Sequence, residues 1–238
     1  MSSYPDISDH GLIGDLQTAA LVATDGTIDW FCCPRFDSPS VFASLLDAER
    51  GGFFKIRPES GDFVTKQLYL PGTAILITRF MSDAGAGEVI DFMPVVDGPA
   101  TDRHCLVRLV RVVRGEMRFV GEIQPRFGYG LTGHETTFTA DGVQFVADDM
   151  TLTVHRVGEP IGEAEDRAGV FEEDGTGVRL AATLHAGDLT GIMLESGGAA
   201  PRQVERHRLC RIAVAGEIGH VGGQRQVAAG VYTGRQWV

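Results

Sequence analysis

The sequence predicts an all-β fold, a large antiparallel β-sandwich. Three observations carry the expectation. Glycine is abundant, at 31 of 238 residues, while Lys and Glu, the usual helix-surface residues, are sparse. Short apolar runs with period-2 alternation recur through the middle of the chain. Turn pairs such as Asp25-Gly26, Asp141-Gly142, Asp148-Asp149 and Asp174-Gly175 separate those runs. Regularly spaced short strands of this kind pack as two facing sheets.

Taken in order, residues 19–24 and 27–31 read as two short strands. Asp25-Gly26 joins them, because both central residues of a tight hairpin can take positive φ. Ser38 has the chemistry of an N-cap and Pro39 suits the first helical position, so a short helix is expected near residues 39–47, stopped by Gly51-Gly52. Further strands are expected at 53–57, 74–80, 87–93, 105–114, 117–125, 143–147, 150–157, 178–184 and 189–195. The clearest is Cys105-Leu-Val-Arg-Leu-Val-Arg-Val-Val-Arg-Gly, a buried-looking run punctuated by Arg108 and Arg114, with Gly115-Glu116 as the turn into the next strand. Composition shifts after Ser196. Residues 1–196 are expected to form the sandwich domain, and 197–238 a linker or tail that is partly disordered or non-native.

Composition excludes several classes of function. The formal net charge is -11 and no basic run reaches five residues, so neither nucleic acid nor an anionic membrane surface is an expected partner. The N-terminus lacks the basic and apolar regions of a signal peptide, and no apolar stretch approaches the length of a membrane helix. Cys32, Cys33, Cys105 and Cys210 form no Cys-x-x-Cys, and read as reduced thiols of a cytoplasmic protein. The seven histidines show no metal-ligand spacing, so neither metal nor cofactor is expected. Gly11-Leu-Ile-Gly14 lacks the spacing and the Lys of a phosphate loop.

The stretch Ile13-Gly-Asp-Leu-Gln-Thr-Ala-Ala-Leu-Val-Ala-Thr-Asp-Gly-Thr-Ile-Asp-Trp30, followed by Pro34-Arg-Phe-Asp-Ser-Pro-Ser-Val-Phe42, resembles the opening of glycoside hydrolase family 15, in its bacterial trehalase-like and glucoamylase-like members. Gly87-Glu-Val-Ile-Asp-Phe-Met-Pro94 and Pro125-Arg-Phe-Gly-Tyr-Gly130 continue the resemblance in the same order, over about residues 8–195. It implies a β-supersandwich preceding an (α/α)6 catalytic barrel whose two glutamates do the chemistry. That barrel is absent from the sequence, and a frameshifted or truncated tail is one expectation for residues 197–238. The implied role is a noncatalytic domain that docks on and stabilises the helical barrel of the same enzyme, with an α-glucoside such as trehalose as its substrate. A stand-alone carbohydrate-binding module and a structural fragment without independent activity are the alternatives.

Glycoside hydrolysis needs two carboxyl groups at a defined separation. Asp15, Asp29, Asp37 and Asp91 are available, but sequence proximity sets no such spacing, and no catalytic residue is assigned. Asp37 is better explained by a turn cap or a pair with Arg35, and Asp29 by a place in the hairpin strand. The pocket or interdomain candidates are Trp30, Arg35, Phe36 and Asp37. An aromatic face packs on the C–H surface of a sugar and Arg donates to its hydroxyls. Pro34 and Pro39 would stiffen the loop that displays them. The competing reading places Trp30 and Phe36 in the core and Arg35 in an interdomain ion pair.

Overall fold

The computed structural model describes residues 4–59, 62–96, 99–139, 142–148, 150–158, 171–197, 231–233 and 236–237. After a 3-10 turn at Ile7–Asp9 come β1 (His10–Gly14), β2 (Ala19–Ala23), β3 (Thr27–Cys32), β4 (Ser40–Phe42), β5 (Phe53–Pro58), β6 (Val64–Tyr69), β7 (Leu76–Met81), β8 (Gly85–Phe92) and β9 (Val95–Val96). The 20-residue β10 (Cys105–Gln124) follows, then one short helical turn, α1 (Phe127–Gly130). The remaining strands are β11 (Glu135–Thr139), β12 (Gly142–Val146), β13 (Thr151–Gly158), β14 (Glu172–Asp174), β15 (Gly177–His185), β16 (Leu189–Ser196), β17 (Val231–Thr233) and β18 (Gln236–Trp237).

Strand β10 organises this all-β fold. Its first half pairs with β8 and β16, its second half with β5 and β15, all antiparallel. One leaf therefore runs β1-β2-β3-β5-β10-β15-β14, with β4 on β3. The other runs β6-β7-β8-β10-β16-β13-β12-β11. The two leaves are one continuous hydrogen-bonded sheet, unclosed, folded over at β10. The crossover is at Gly115, the last residue paired with β8 before Glu116 pairs with β15; the register against β8 shifts just before it, between Val112 and Arg114. Gly115 sits at φ 74°, and a Cβ there would lie 2.1 Å from the Ala84 carbonyl oxygen. Gly115-Glu116 is thus not a turn between two strands but a continuous part of one, just past a bulge at Val113.

The main core lies between the leaves. Ile13, Val22, Phe31, Phe54 and Ile123 face it from one side, and Phe80, Val89, Leu106, Val110 and Phe145 from the other. Phe80 and Phe119 meet edge to face across it, at 6.0 Å. A second buried cluster, including Ile77, Ile90, Val107, Leu109 and Met193, covers the opposite face of the β7-β8-β10-β16 leaf. Burial on both faces is why residues 105–110 read as a nearly unbroken apolar run rather than an alternating one.

Arg108, fully buried on the inner face of β10, bolts the leaves together. Its Nε donates to Asp91 Oδ1 (2.8 Å), its Nη1 to the Phe54 carbonyl (2.6 Å) and its Nη2 to the Gly26 carbonyl (2.8 Å). The guanidinium also stacks 4.7 Å over the Phe54 ring.

The helix expected near residues 39–47 is not formed. Ser40–Phe42 is a buried strand paired with β3, and turns follow. The Phe42 ring stacks on Phe31 at 6.2 Å. Packing of Val41 and Phe42, both good strand formers, outweighs the capping pattern of Ser38-Pro39. Most of the tail expected at 197–238 lies outside the described residues. Within it, β17 and β18 pair with each other, and β17 pairs in parallel with β9.

Candidate functional site

Loops from several strands gather at one end of the sandwich. The β1–β2 turn is built by Asp15, whose Oδ1 accepts the amides of Gln17 and Thr18, both at 3.0 Å. This closed turn holds Leu16 at φ 74° with its side chain 82% exposed. Asp15 Oδ2 lies 2.5 Å from His104 Nδ1. His104 Nε2 is buried with no hydrogen-bond partner among the described residues. Burial pushes the Asp15 carboxyl up, but the His104 hydrogen bond and the two turn amides outweigh it and hold its pKa below the ordinary 3.8.

Loop 33–39 leans on the same cluster. Thr18 Oγ1 donates to the Cys32 carbonyl (2.5 Å), and the His104 amide donates to Ser196 Oγ (3.0 Å). Cys33 is fully buried beside Ser196; burial pushes its thiol up to about 12. A thiol so placed is not a nucleophile at neutral pH. The Cys33–Pro34 peptide is cis. Arg35 then grips Asp37 through Nε (3.0 Å) and Nη2 (2.7 Å), with both side chains mostly in water. Exposed ion pairs of this kind contribute little to stability, so both groups remain open to other partners. Phe36, between them, is 62% exposed.

The third part of the rim is Pro125-Arg-Phe-Gly-Tyr-Gly130. The Arg126 amide donates to the Val41 carbonyl (2.9 Å), which sets this loop beside β4. Phe127 is buried as an anchor, whereas Tyr129, at φ 59°, and Leu131 are exposed. Among the described residues, Leu16 and Tyr129 are the two non-glycine residues at positive φ. Backbone of that kind persists only where surrounding bonds enforce it, and it concentrates at functional positions.

The structure thus brings Arg35, Phe36 and Asp37 together on one exposed loop. Phe36 is not a core residue, and Arg35 has taken Asp37 as its partner. Trp30 stands apart, half-buried on the face of β3 turned away from the main core, opposite Leu21. The four aspartates considered for acid–base work are each held by a different basic residue: Asp15 by His104, Asp29 by His10, Asp37 by Arg35 and Asp91 by Arg108. Among the described residues no three His, Cys, Asp or Glu side chains gather in a way that could hold a metal ion, and no helix is long and apolar enough to cross a membrane. Sequence reasoning missed Leu16 and Tyr129. The signal for Leu16 was the Asp15-x-x-Thr18 spacing of a side-chain-closed turn; for Tyr129 it was the flanking Gly128 and Gly130.

An Asp15→Asn variant should be about 1–3 kcal/mol less stable at neutral pH, the scale of a buried charge-assisted hydrogen bond. Because the folded-state pKa of Asp15 is depressed, its stabilisation is present above pH 3.8 and disappears as pH falls through the folded value. Urea titrations across pH should show the gap from the parent chain closing below 3.8. A gap that stays constant with pH would contradict the pairing.

Comparison with known proteins adds a family. The family model described as "Trehalase-like, N-terminal" matches residues 2–162, a span that contains all three rim loops. Trehalase 1 of Sulfolobus acidocaldarius is 40% identical over 136 residues, covering 57% of this chain and 22% of the relative. The trehalase of Thermoplasma volcanium is 36% identical over 135 residues, covering 55% and 21%. That of Mycobacterium tuberculosis is 28% identical over 208 residues, covering 76% and 30%. The chain therefore spans between a fifth and a third of the length of these relatives.

Proposed function

The chain belongs to the trehalase-like N-terminal family, and on that premise we propose that it is the β-scaffold of an α-glucoside hydrolase. Its loop rim docks on a helical catalytic domain, stabilises it, and lends Arg35 and Phe36 to the wall of the substrate pocket. Trehalose is the favoured glucoside, because the relatives it matches are named trehalases. A reducing compartment, the cytoplasm, suits Cys32, Cys33 and Cys105, which are free.

One observation carries this reading. Leu16, Phe36, Tyr129 and Leu131 are exposed at a single end of the sandwich, on loops fastened from behind by buried or backbone hydrogen bonds. Exposed apolar side chains on rigid supports lose little entropy on binding, which suits an interface. A carbohydrate-binding module would instead line aromatics along one sheet face. Here Phe36 and Tyr129 lie on rim loops, while Tyr69 and Phe138 lie on the edge strands β6 and β11.

The test is to join the chain to the catalytic domain of a trehalase relative and compare it with Leu16→Asp and Phe36→Ala variants. The chain alone should release no glucose from trehalose. The joined enzyme should do so, Leu16→Asp should lower its thermal stability, and Phe36→Ala should raise its KM for trehalose. Glucose release by the chain alone, or a joined enzyme indifferent to both substitutions, would refute the proposal.

A further inference from the structure

His10 opens β1 and sits between two acceptors. Its Nδ1 is 2.9 Å from the Asp6 carbonyl oxygen and its Nε2 is 2.7 Å from Asp29 Oδ2. The His10 and Asp29 side chains are only 4% and 5% exposed, which shields their contact from water, whereas the contact with the Asp6 carbonyl lies at the surface, where water can replace it once the ring has a single proton. A carbonyl and a carboxylate both lack a proton to give. A neutral imidazole carries one N–H and can serve one of them; only the imidazolium serves both. We propose that His10 is a charge-dependent clasp, whose imidazolium ties the N-terminal segment of residues 4–9 to β3 and whose deprotonation lets that segment go.

The segment depends on such a tie. The 3-10 turn Ile7–Asp9 buries none of its residues, so packing holds it weakly. Its backbone is fastened by the Asp9 amide on the Asp6 carbonyl and the Thr24 amide on the Asp9 carbonyl, each at 2.9 Å. The titratable groups that act on the clasp from packed elements are Asp29 of β3 and Asp25 of the β2–β3 turn, the latter through Asp29. Burial of the His10 ring lowers its pKa. The bond and charge of Asp29, with the carbonyls of Asp6 and Ile7, outweigh that and raise it above 6.5. A group raised in this way stabilises fully below 6.5 and ceases to do so as pH rises through the folded value. The inference stands independently of the docking reading.

Histidine NMR titration of the full chain, combined with amide exchange protection measured from pH 6 to 9, tests it. His10 should titrate above 6.5. Through that transition the Asp9 and His10 amides should lose protection by roughly tenfold, the scale of one lost hydrogen bond, while amides of β10 keep theirs. His10→Gln should abolish the pH step, and Asp29→Asn should move it to lower pH, which a purely structural histidine would not do. A His10 pKa at or below 6.5, or a step of equal size in His10→Gln, would overturn the proposal. The first of these outcomes needs no variant to fold.

Discussion

Replacing Arg108 with Met should cost the chain about 3–5 kcal/mol, a large share of the stability margin of an ordinary domain. The reason is what the substitution leaves behind. Asp91 is wholly buried, directly opposite Arg108 in the β8–β10 register, and would keep a charge with no partner. The carbonyls of Phe54 and Gly26 would lose their donor as well. Met can fill the volume over the Phe54 ring but cannot answer any of these acceptors. Denaturant unfolding of the purified chain measures the effect. A double variant, Arg108→Met with Asp91→Leu, should regain a good part of the loss, because an apolar pair of similar size removes the stranded charge. A single variant within about 1 kcal/mol of the parent would show that Arg108 does not fasten the leaves.

Arg108 also marks how far the sequence could be read. An arginine interrupting an apolar run was visible; its partners were not. Asp91 lies 17 residues away, and Gly26 and Phe54 belong to the other leaf. The strands that were anticipated are those with a buried face, such as β7, β8, β13, β15 and β16, since burial imposes a pattern. Two of the strands not anticipated are exposed edges. Val64-Thr-Lys-Gln-Leu-Tyr69 and Glu135-Thr-Thr-Phe-Thr139 are largely exposed, so nothing constrains their alternation. The rim shows the same limit. Arg35, Phe36 and Asp37 could be named from chemistry and resemblance. Leu16 and Tyr129 leave no periodic trace, and only the turn spacing Asp15-x-x-Thr18 and the glycines flanking Tyr129 mark them in the sequence.

Gly26→Ala should destabilise the chain by about 3 kcal/mol, far more than its chemistry suggests. The Asp25-Gly26 turn does not hold two residues at positive φ. Gly26 takes φ 85° and donates its amide to the Ala23 carbonyl, while Asp25 Oδ1 accepts the Thr27 amide. A Cβ on Gly26 would meet the Ile56 carbonyl oxygen at 2.1 Å, and that oxygen belongs to the backbone of β5, which cannot swing aside. Moving the turn to relieve the clash would pull the Gly26 carbonyl away from Arg108 and from the Ile56 amide, which it accepts at 3.1 Å. The cost is therefore strain plus the loosening of the same bolt that Arg108→Met removes. Gly175→Ala separates the two contributions. Gly175 has φ 63° but nothing within 4 Å of its would-be Cβ, so it should lose only the left-handed strain, about 1 kcal/mol. Combining Gly26→Ala with Arg108→Met should cost less than the two effects added, because the bolt can be lost only once. Strict additivity, or a Gly26→Ala chain no weaker than Gly175→Ala, would mean that the turn and the arginine act separately.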